Sequence, residues 1–516
     1  MKDSSISRLL KVSQSMQYRL IIEGAGVGLI SGAVVSFYRW ILAHAEQFSK
    51  WMYTAVKTSW VWMVLVFLGL VVLGIVCGFL VRSEPMIKGS GIPQVEGELL
   101  GYFNPSWWKV LLKKFAGGVI AIGAGLSLGR EGPSIQLGAS VGKGLSNVFH
   151  RIKFEEKYLM TCGASAGLAA AFNAPLAGVM FAMEEVHKSF SPNVMLSAMA
   201  AAIAGDLVSK SIFGMSSVFD TVPTDALPMR FYLLLVVLGC VLGIFGAVYN
   251  KTLLKTQDLY QRIPIPDWVK PVIPFLLAGL LGMMLPAVLG GGHGIITGLI
   301  ENKYLIGSIA LLLVVKFVFS MVSFGSGVPG GIFFPLLVLG ALVGVLFGKV
   351  SVLYFGLPEM FVVKFMLLGM VGLFTAIVRA PVTGIILIVE MSGSLSHLLA
   401  LTVVTIFSYV VATALGAKPI YESLLERMTG KGADVARGEK VLVRMVVNQA
   451  SRAQGRSMRQ LRFPKNCLVV SIDRLGEEVI PDGSTQIHAG DVVMIMCDQK
   501  DEPKIRETVS RIFSRE

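Results

Sequence analysis

Residues 125–138, GLSLGREGPSIQLG, place Arg130 and Glu131 side by side in a stretch otherwise suited to hydrocarbon. An ionisable side chain at such depth is costly, so it has work to do unless it merely pairs with its neighbour or caps a helix. The flanking residues point to an anion. A Gly-rich stretch runs into a proline and then an apolar helical segment, and proline suits the first turn because its missing N–H has no partner there anyway. A helix that begins at bilayer depth leaves its first N–H groups unpaired, and these together with the macrodipole favour an anion. The same pattern recurs in GGIFFP (330–335), and again in KGSGIPQVEGELL (88–100), where the hydroxyl of Ser90 adds a donor just before Pro93.

Such motifs need apolar helices to hold them. With 54% hydrophobic and 15% charged residues in 516, and a mean hydropathy of +0.69, the chain is too apolar for a soluble protein. Runs at 20–38, 61–81, 231–249 and 305–325 are each long enough to span a bilayer. The expectation is an all-α polytopic membrane protein. The polar, basic start MKDSSISRLLKVSQSMQYR has no cleavable signal pattern, which predicts a cytoplasmic N-terminus by the positive-inside rule.

The apolar part is duplicated. KFAGGVIAIGAGLSLGREGPSIQLGASVG (114–142) aligns without gaps to KFVFSMVSFGSGVPGGIFFPLLVLGALVG (316–344), with eleven identities in 29 positions at an offset of 202. FNAPLAGVMFAMEE (172–185) pairs likewise with VRAPVTGIILIVEM (378–391), setting Glu184 opposite Glu390 and Glu185 opposite Met391. The reading is two homologous halves, about 18–215 and 228–429, of tilted and broken helices. Sequence order leaves parallel and inverted arrangements open, and inverted repeats are common in transporters. Residues 430–516 hold 27 charged residues in 87, against 52 in the preceding 429, which predicts a small cytoplasmic α+β domain there. Its strands are KVLVRMVV, CLVVSI and DVVMIMC, and DEPKIRETVSRIFSRE is its terminal helix.

Several function classes drop out. The net charge of +13 sits mainly in the membrane part and its short loops, where inner-leaflet orientation accounts for it without nucleic acid. The five cysteines stand singly, as small hydrophobes rather than a disulfide framework. The histidines lack metal-like spacing, and no Walker A loop or Rossmann fingerprint is present, so neither an enzyme, a cofactor nor a metal site is expected.

In order and spacing, GSGIP (89–93), GREGP (129–133) and GIFFP (331–335), with the tyrosine of AKPIYESLL, resemble the signature motifs of the CLC family of chloride channels and chloride/proton antiporters. The resemblance spans roughly 15–430. It implies a homodimer with one pathway per subunit and a chloride seat made by the hydroxyls of Ser90 and Tyr421 and the backbone N–H groups of Ile332 and Phe333. It implies that Glu131 is a gating carboxylate that occupies an anion position when ionised and swings aside when protonated. Chloride and a proton then favour the same displaced state. Glu185 falls where antiporters of the family carry an internal proton acceptor, whereas channels usually carry an uncharged residue, so the expectation is a chloride/proton antiporter, with a passive channel as the alternative. The serine in GSGIP favours chloride, since nitrate-transporting relatives carry proline there. Partial charges rather than a fixed cation suit transport, because weak binding lets ions leave.

The tail, NQASRAQGRSMRQLRFPKNCLVVSIDRLGEEVIPDGSTQIHAGDVVMIM (448–496), is similar instead to the RCK_C or TrkA_C subdomain of potassium-transport regulators. That implies a dimerising regulatory module with a cyclic dinucleotide or other small effector as a partner. Arg452, Arg456, Arg459 and Arg462 are its candidate phosphate-binding residues, alongside the reading of a plain solvated face.

Overall fold

The computed structural model describes residues 2–55, 59–188, 190–215, 219, 227–430, 440–448, 451, 453–461, 463–464, 466–474, 477–498 and 501–513. The chain divides into two compact units, Met1–Leu425 and Glu426–Glu516.

In the first unit the helices are α1 (Lys2–Ala55), α2 (Trp60–Ser83), α3 (Ile92–Leu99), α4 (Trp107–Gly123), α5 (Glu131–Val148), α6 (Lys153–Phe172), α7 (Pro175–Phe181) and α8 (Pro192–Phe213). The order then repeats as α9 (Tyr232–Arg262), α10 (Val272–Met284), α11 (His293–Ile300), α12 (Ile306–Gly325), α13 (Phe333–Phe355), α14 (Val362–Val378), α15 (Pro381–Ser392) and α16 (Leu398–Ala414). A further helix, α17 (Ile420–Thr429), straddles the division between the units. Long and short helices alternate in the same pattern in both halves. Seven of the described helices are long and apolar enough to cross a bilayer, and the four apolar runs above fall on α1, α2, α9 and α12.

Equivalent residues make equivalent contacts. Gly138 of α5 meets Gly163 of α6 so closely that a Cβ on Gly138 would lie 2.0 Å from the Gly163 carbonyl oxygen, and Gly340 of α13 meets Gly369 of α14 with 2.4 Å. Small residues let these backbones touch, and helix packing within lipid depends on such contact. The two halves are also joined reciprocally. Gly129 and Gly331, equivalent by the 202-residue offset, form a two-residue antiparallel bridge in which each N–H donates to the other's carbonyl at 2.7 Å. A pair of equivalent residues bonded to each other in both directions marks a local twofold axis.

The second unit carries a four-stranded antiparallel sheet in the order β1 (Lys440–Val446), β4 (Val492–Asp498), β2 (Cys467–Arg474), β3 (Glu477–Val479), followed by α18 (Glu502–Phe513). Val443, Ile472, Val493 and Ile495 alternate onto its inner face and are buried with Ile505, Val509 and Phe513 of α18. The three expected strands and the helix are present, and β3 is an addition. Asp491 precedes β4 and accepts from Arg474, with Nη2 to Oδ2 at 2.8 Å.

Candidate functional site

Three helix starts converge. Helix α3 follows Gly91, whose φ of +99° lies in the left-handed region that a side chain resists, and Pro93 sits in its first turn. Helices α5 and α13 begin at Glu131 and Phe333, with Pro133 and Pro335 in their first turns. Besides the Gly129–Gly331 bridge, Gly330 N–H donates to the Gly89 carbonyl at 2.9 Å, and Gly132 lies so close to Ser90 that a Cβ there would be 2.3 Å from Oγ. All three Gly-Pro motifs thus form one knot. The ring of Phe333 is wedged among Phe172, Phe181 and Phe374 at centroid distances of 5.3, 5.8 and 4.9 Å, which holds the start of α13 rigid.

Within the knot, polar atoms are left over. The hydroxyls of Ser90 and Tyr421 are buried, near enough to act on one another, yet neither closes a hydrogen bond of good geometry. The N–H groups of Ile332 and Phe333 donate to no backbone carbonyl. Glu131 is 1% exposed, and neither carboxylate oxygen has a full hydrogen bond. Its nearest donors are its own N–H and that of Phe334, while Arg130 Nε stands 4.0 Å from Oε1. A Cβ on Gly129 would lie 2.3 Å from Glu131 Oε2 and 3.0 Å from the Phe334 nitrogen. Glycine at 129 therefore leaves the carboxylate room against the amino end of α13. Buried polar atoms are normally paired, so four unpartnered oxygens beside a helix start whose first N–H groups are free of backbone acceptors form an arrangement able to take up a small polar guest.

Farther along the chain, Ala182–Val186 forms a π turn that closes α7 and carries Glu184 and Glu185. Glu184 accepts from the N–H groups of Val382 and Thr383 and from the Thr383 hydroxyl, capping α15. Its equivalent, Glu390, accepts from the N–H groups of Leu176 and Ala177, capping α7. Each acid of the repeat thus caps a helix of the other half. Glu185 has no such employment. It is buried, its Oε1 is unpartnered, and the charges around it are Lys188, Glu96, Glu184 and Glu422. Lys188 is engaged by Glu96 at 2.6 Å. Glu185 and Glu131 both exert their field on the Tyr421 phenol.

The motifs do not reveal Lys114 and Lys316. Both are fully buried. Lys114 Nζ donates to the carbonyls of Ile87 and Gly89 at 2.9 and 2.6 Å, and Lys316 Nζ to those of Val288 and Gly290 at the same two distances. Each amine knots the loop that leads into a short broken helix, α3 or α11. The signal in the sequence is the Lys-Phe pair kept in register by the repeat. A buried amine therefore donates one residue from Ser90, to carbonyl groups rather than to the hydroxyls of the knot.

Of the tail arginines, Arg456 and Arg459 are exposed, and Arg459 N–H donates to the Gly483 carbonyl at 3.0 Å. Arg452 and Arg462 lie outside the described residues. No cluster of His, Cys, Asp or Glu fit for a metal occurs among the described residues.

Broken helices whose amino ends meet around a buried carboxylate and two unpaired hydroxyls, inside a multi-pass helical body, define a membrane transport protein rather than an enzyme. Residues 73–413 match the voltage gated chloride channel family, and residues 442–510 match the TrkA-C domain. A H(+)/Cl(-) exchange transporter ClcA of Klebsiella pneumoniae is 34% identical over 445 residues, 83% of this chain and 93% of the relative. The protein of the same name from Vibrio cholerae is 36% identical over 413 residues, 78% of this chain and 88% of the relative. The crystal structure of a slow cyanobacterial Cl-/H+ antiporter superposes with a TM-score of 0.76 at 30% identity, covering 80% of this chain and 98% of that one. The chain belongs to the voltage gated chloride channel family.

Proposed function

We propose that the protein exchanges chloride for protons across the cell membrane, with both termini cytoplasmic, as a homodimer with one route per subunit. The chloride place is formed by Ser90, Tyr421 and the N–H groups of Ile332 and Phe333. Glu131 competes for the anion position beside it, and Glu185 accepts protons from the opposite side. The transport unit is residues 1–429, and residues 430–516 form a regulatory unit whose arginines, Arg456 and Arg459 among them, meet an anionic effector such as a cyclic dinucleotide.

One observation carries the exchange reading. Of two adjacent acids, Glu184 is consumed as a helix cap, as is its repeat equivalent Glu390, whereas Glu185 is added in one copy only, buried and left with an orphaned oxygen. A buried acid that caps no helix is suited to titrate. The names of the relatives support the same reading. The test is chloride flux and chloride-driven proton movement in liposomes. E185Q is expected to stop proton movement while chloride still moves, and E131Q to uncouple the two as well. Unchanged proton coupling in E185Q would reject the assignment, and a wild-type protein that moves chloride without protons would make it a channel.

A further inference from the structure

A cleft of about 390 Å³ opens between the end of α11, the later part of α13 and the start of the Glu359–Val378 span. Apolar Leu299, Val362 and Val363 line it, and Asn302, Lys349 and Glu359 supply its polar atoms. It shares no lining residue with the proposed chloride place. Its depth in the membrane follows from the helices. Helix α12 runs in to the knot of helix starts and α13 runs out from it. Lys349 Nζ donates to Asn302 Oδ1 at 2.6 Å and to the Tyr304 carbonyl at 3.0 Å, which ties the later part of α13 to the loop before α12. From Phe333 to Lys349 is about 24 Å of helix, more than the roughly 15 Å between the middle of a bilayer and the edge of its hydrocarbon. Lys349 therefore stands at headgroup level. Leu305, Tyr354 and Phe355 in the adjoining segments are exposed, the apolar and aromatic mixture that meets lipid at that level.

One amide bridges the two charges of the cleft. Asn302 Nδ2 donates to Glu359 Oε1 at 3.2 Å while Asn302 Oδ1 accepts from Lys349. The nearby Glu301 and Lys303 pair with each other. An ammonium has three N–H donors, of which Lys349 engages two, and a carboxylate has several acceptor positions, of which Asn302 takes one on Glu359. We infer that the cleft seats a phospholipid whose headgroup carries a primary ammonium beside its phosphate. The phosphate meets Lys349, the ammonium donates to Glu359, and the upper part of the chains lies on Leu299, Val362 and Val363. Charge complementarity selects this headgroup. An anionic lipid without an ammonium would set its charge against Glu359, and a trimethylated amine has no N–H to donate. The inference rests on the membrane fold and is independent of chloride exchange.

The test titrates the purified full-length protein in detergent with phosphatidylethanolamine, phosphatidylcholine and phosphatidylglycerol of matched chains, and reads bound lipid by native mass spectrometry. The wild type should hold phosphatidylethanolamine about fivefold more tightly than phosphatidylcholine, the scale of one partly exposed ion pair. E359Q should level the two, K349M should weaken both, and E359K should move the preference to phosphatidylglycerol. E359Q and E359K leave the Lys349 bonds to the loop in place, so they decide the matter even where K349M does not fold. Glycerophosphoethanolamine, the headgroup without chains, should not displace the lipid. Equal binding of the ethanolamine and choline lipids by the wild type, a preference that survives E359Q, a tighter hold of the wild type on phosphatidylglycerol, or displacement by the chainless headgroup would each overturn the inference.

Discussion

Replacing Gly129 by alanine should drive Glu131 out of its place. The new Cβ would meet Glu131 Oε2 at 2.3 Å, the Phe334 nitrogen at 3.0 Å and Pro335 Cδ at 3.1 Å. The last two belong to the start of α13, held by the Gly129–Gly331 bridge and by the aromatic wedge at Phe333, whereas the carboxylate ends a flexible side chain. The side chain yields first. Its displacement forfeits the contact with the facing Phe334 N–H, which falls short of a full hydrogen bond and is worth at most about 1.5 kcal/mol. That shifts the balance toward the displaced state by up to about tenfold. In liposomes, G129A should move chloride with proton coupling reduced severalfold, in the direction of E131A. The double variant G129A/E131A should match E131A, since the added methyl then meets no carboxylate. Full proton coupling in G129A would refute the seating of Glu131. A double variant that fails to fold would refute the claim that the side chain alone has to give way.

E184Q and E390Q each leave two helix-start N–H groups facing a weaker acceptor, so each should cost about 1–2 kcal/mol and lower the melting temperature, with proton coupling retained in the folded protein. K114M and K316M each strip two buried carbonyls of their donor, a loss of about 2–4 kcal/mol read by thermal denaturation. K114M should also change the apparent KM for chloride, because Gly89 adjoins Ser90, whereas K316M should do so less. In the tail, burial works to raise the proton affinity of Asp491, but the Arg474 hydrogen bonds and the His488 N–H override it and hold the carboxyl below its usual range. A carboxylate depressed in the folded state stabilises above its unfolded value of about 3.9 and loses that contribution as pH falls through the folded one. Stepped-pH proteolysis of the full chain should therefore show the tail opening below about pH 4, and R474M should make it more labile at neutral pH.

Much of the site can be read from residue types because glycine, proline and a lone carboxylate act locally. GREGP and GIFFP announce helix starts, and the helices begin at Glu131 and Phe333 as those motifs require. What lies beyond reading is what depends on partners 200 residues away. The alignment sets Glu184 opposite Glu390, but only the fold shows that each caps the other half's helix. The π turn at Ala182–Val186 has no local signal, since nothing in AMEEV distinguishes it from α-helix. Lys114 and Lys316 look like helix charges by type, and their burial becomes legible only when two carbonyl groups appear above each amine. The composition change near 430 follows charge, whereas the compact division falls between Leu425 and Glu426, inside α17.

The paired 2.7 Å hydrogen bonds between Gly129 and Gly331 constrain how such a machine can cycle. They rivet the starts of α5 and α13 to each other within the first unit, so rocking one half against the other would shear both bonds. On the proposed function, alternating exposure is then carried by rotation of individual side chains, Glu131 foremost, within a stationary frame. A crosslink spanning residues 129 and 331 should leave turnover running.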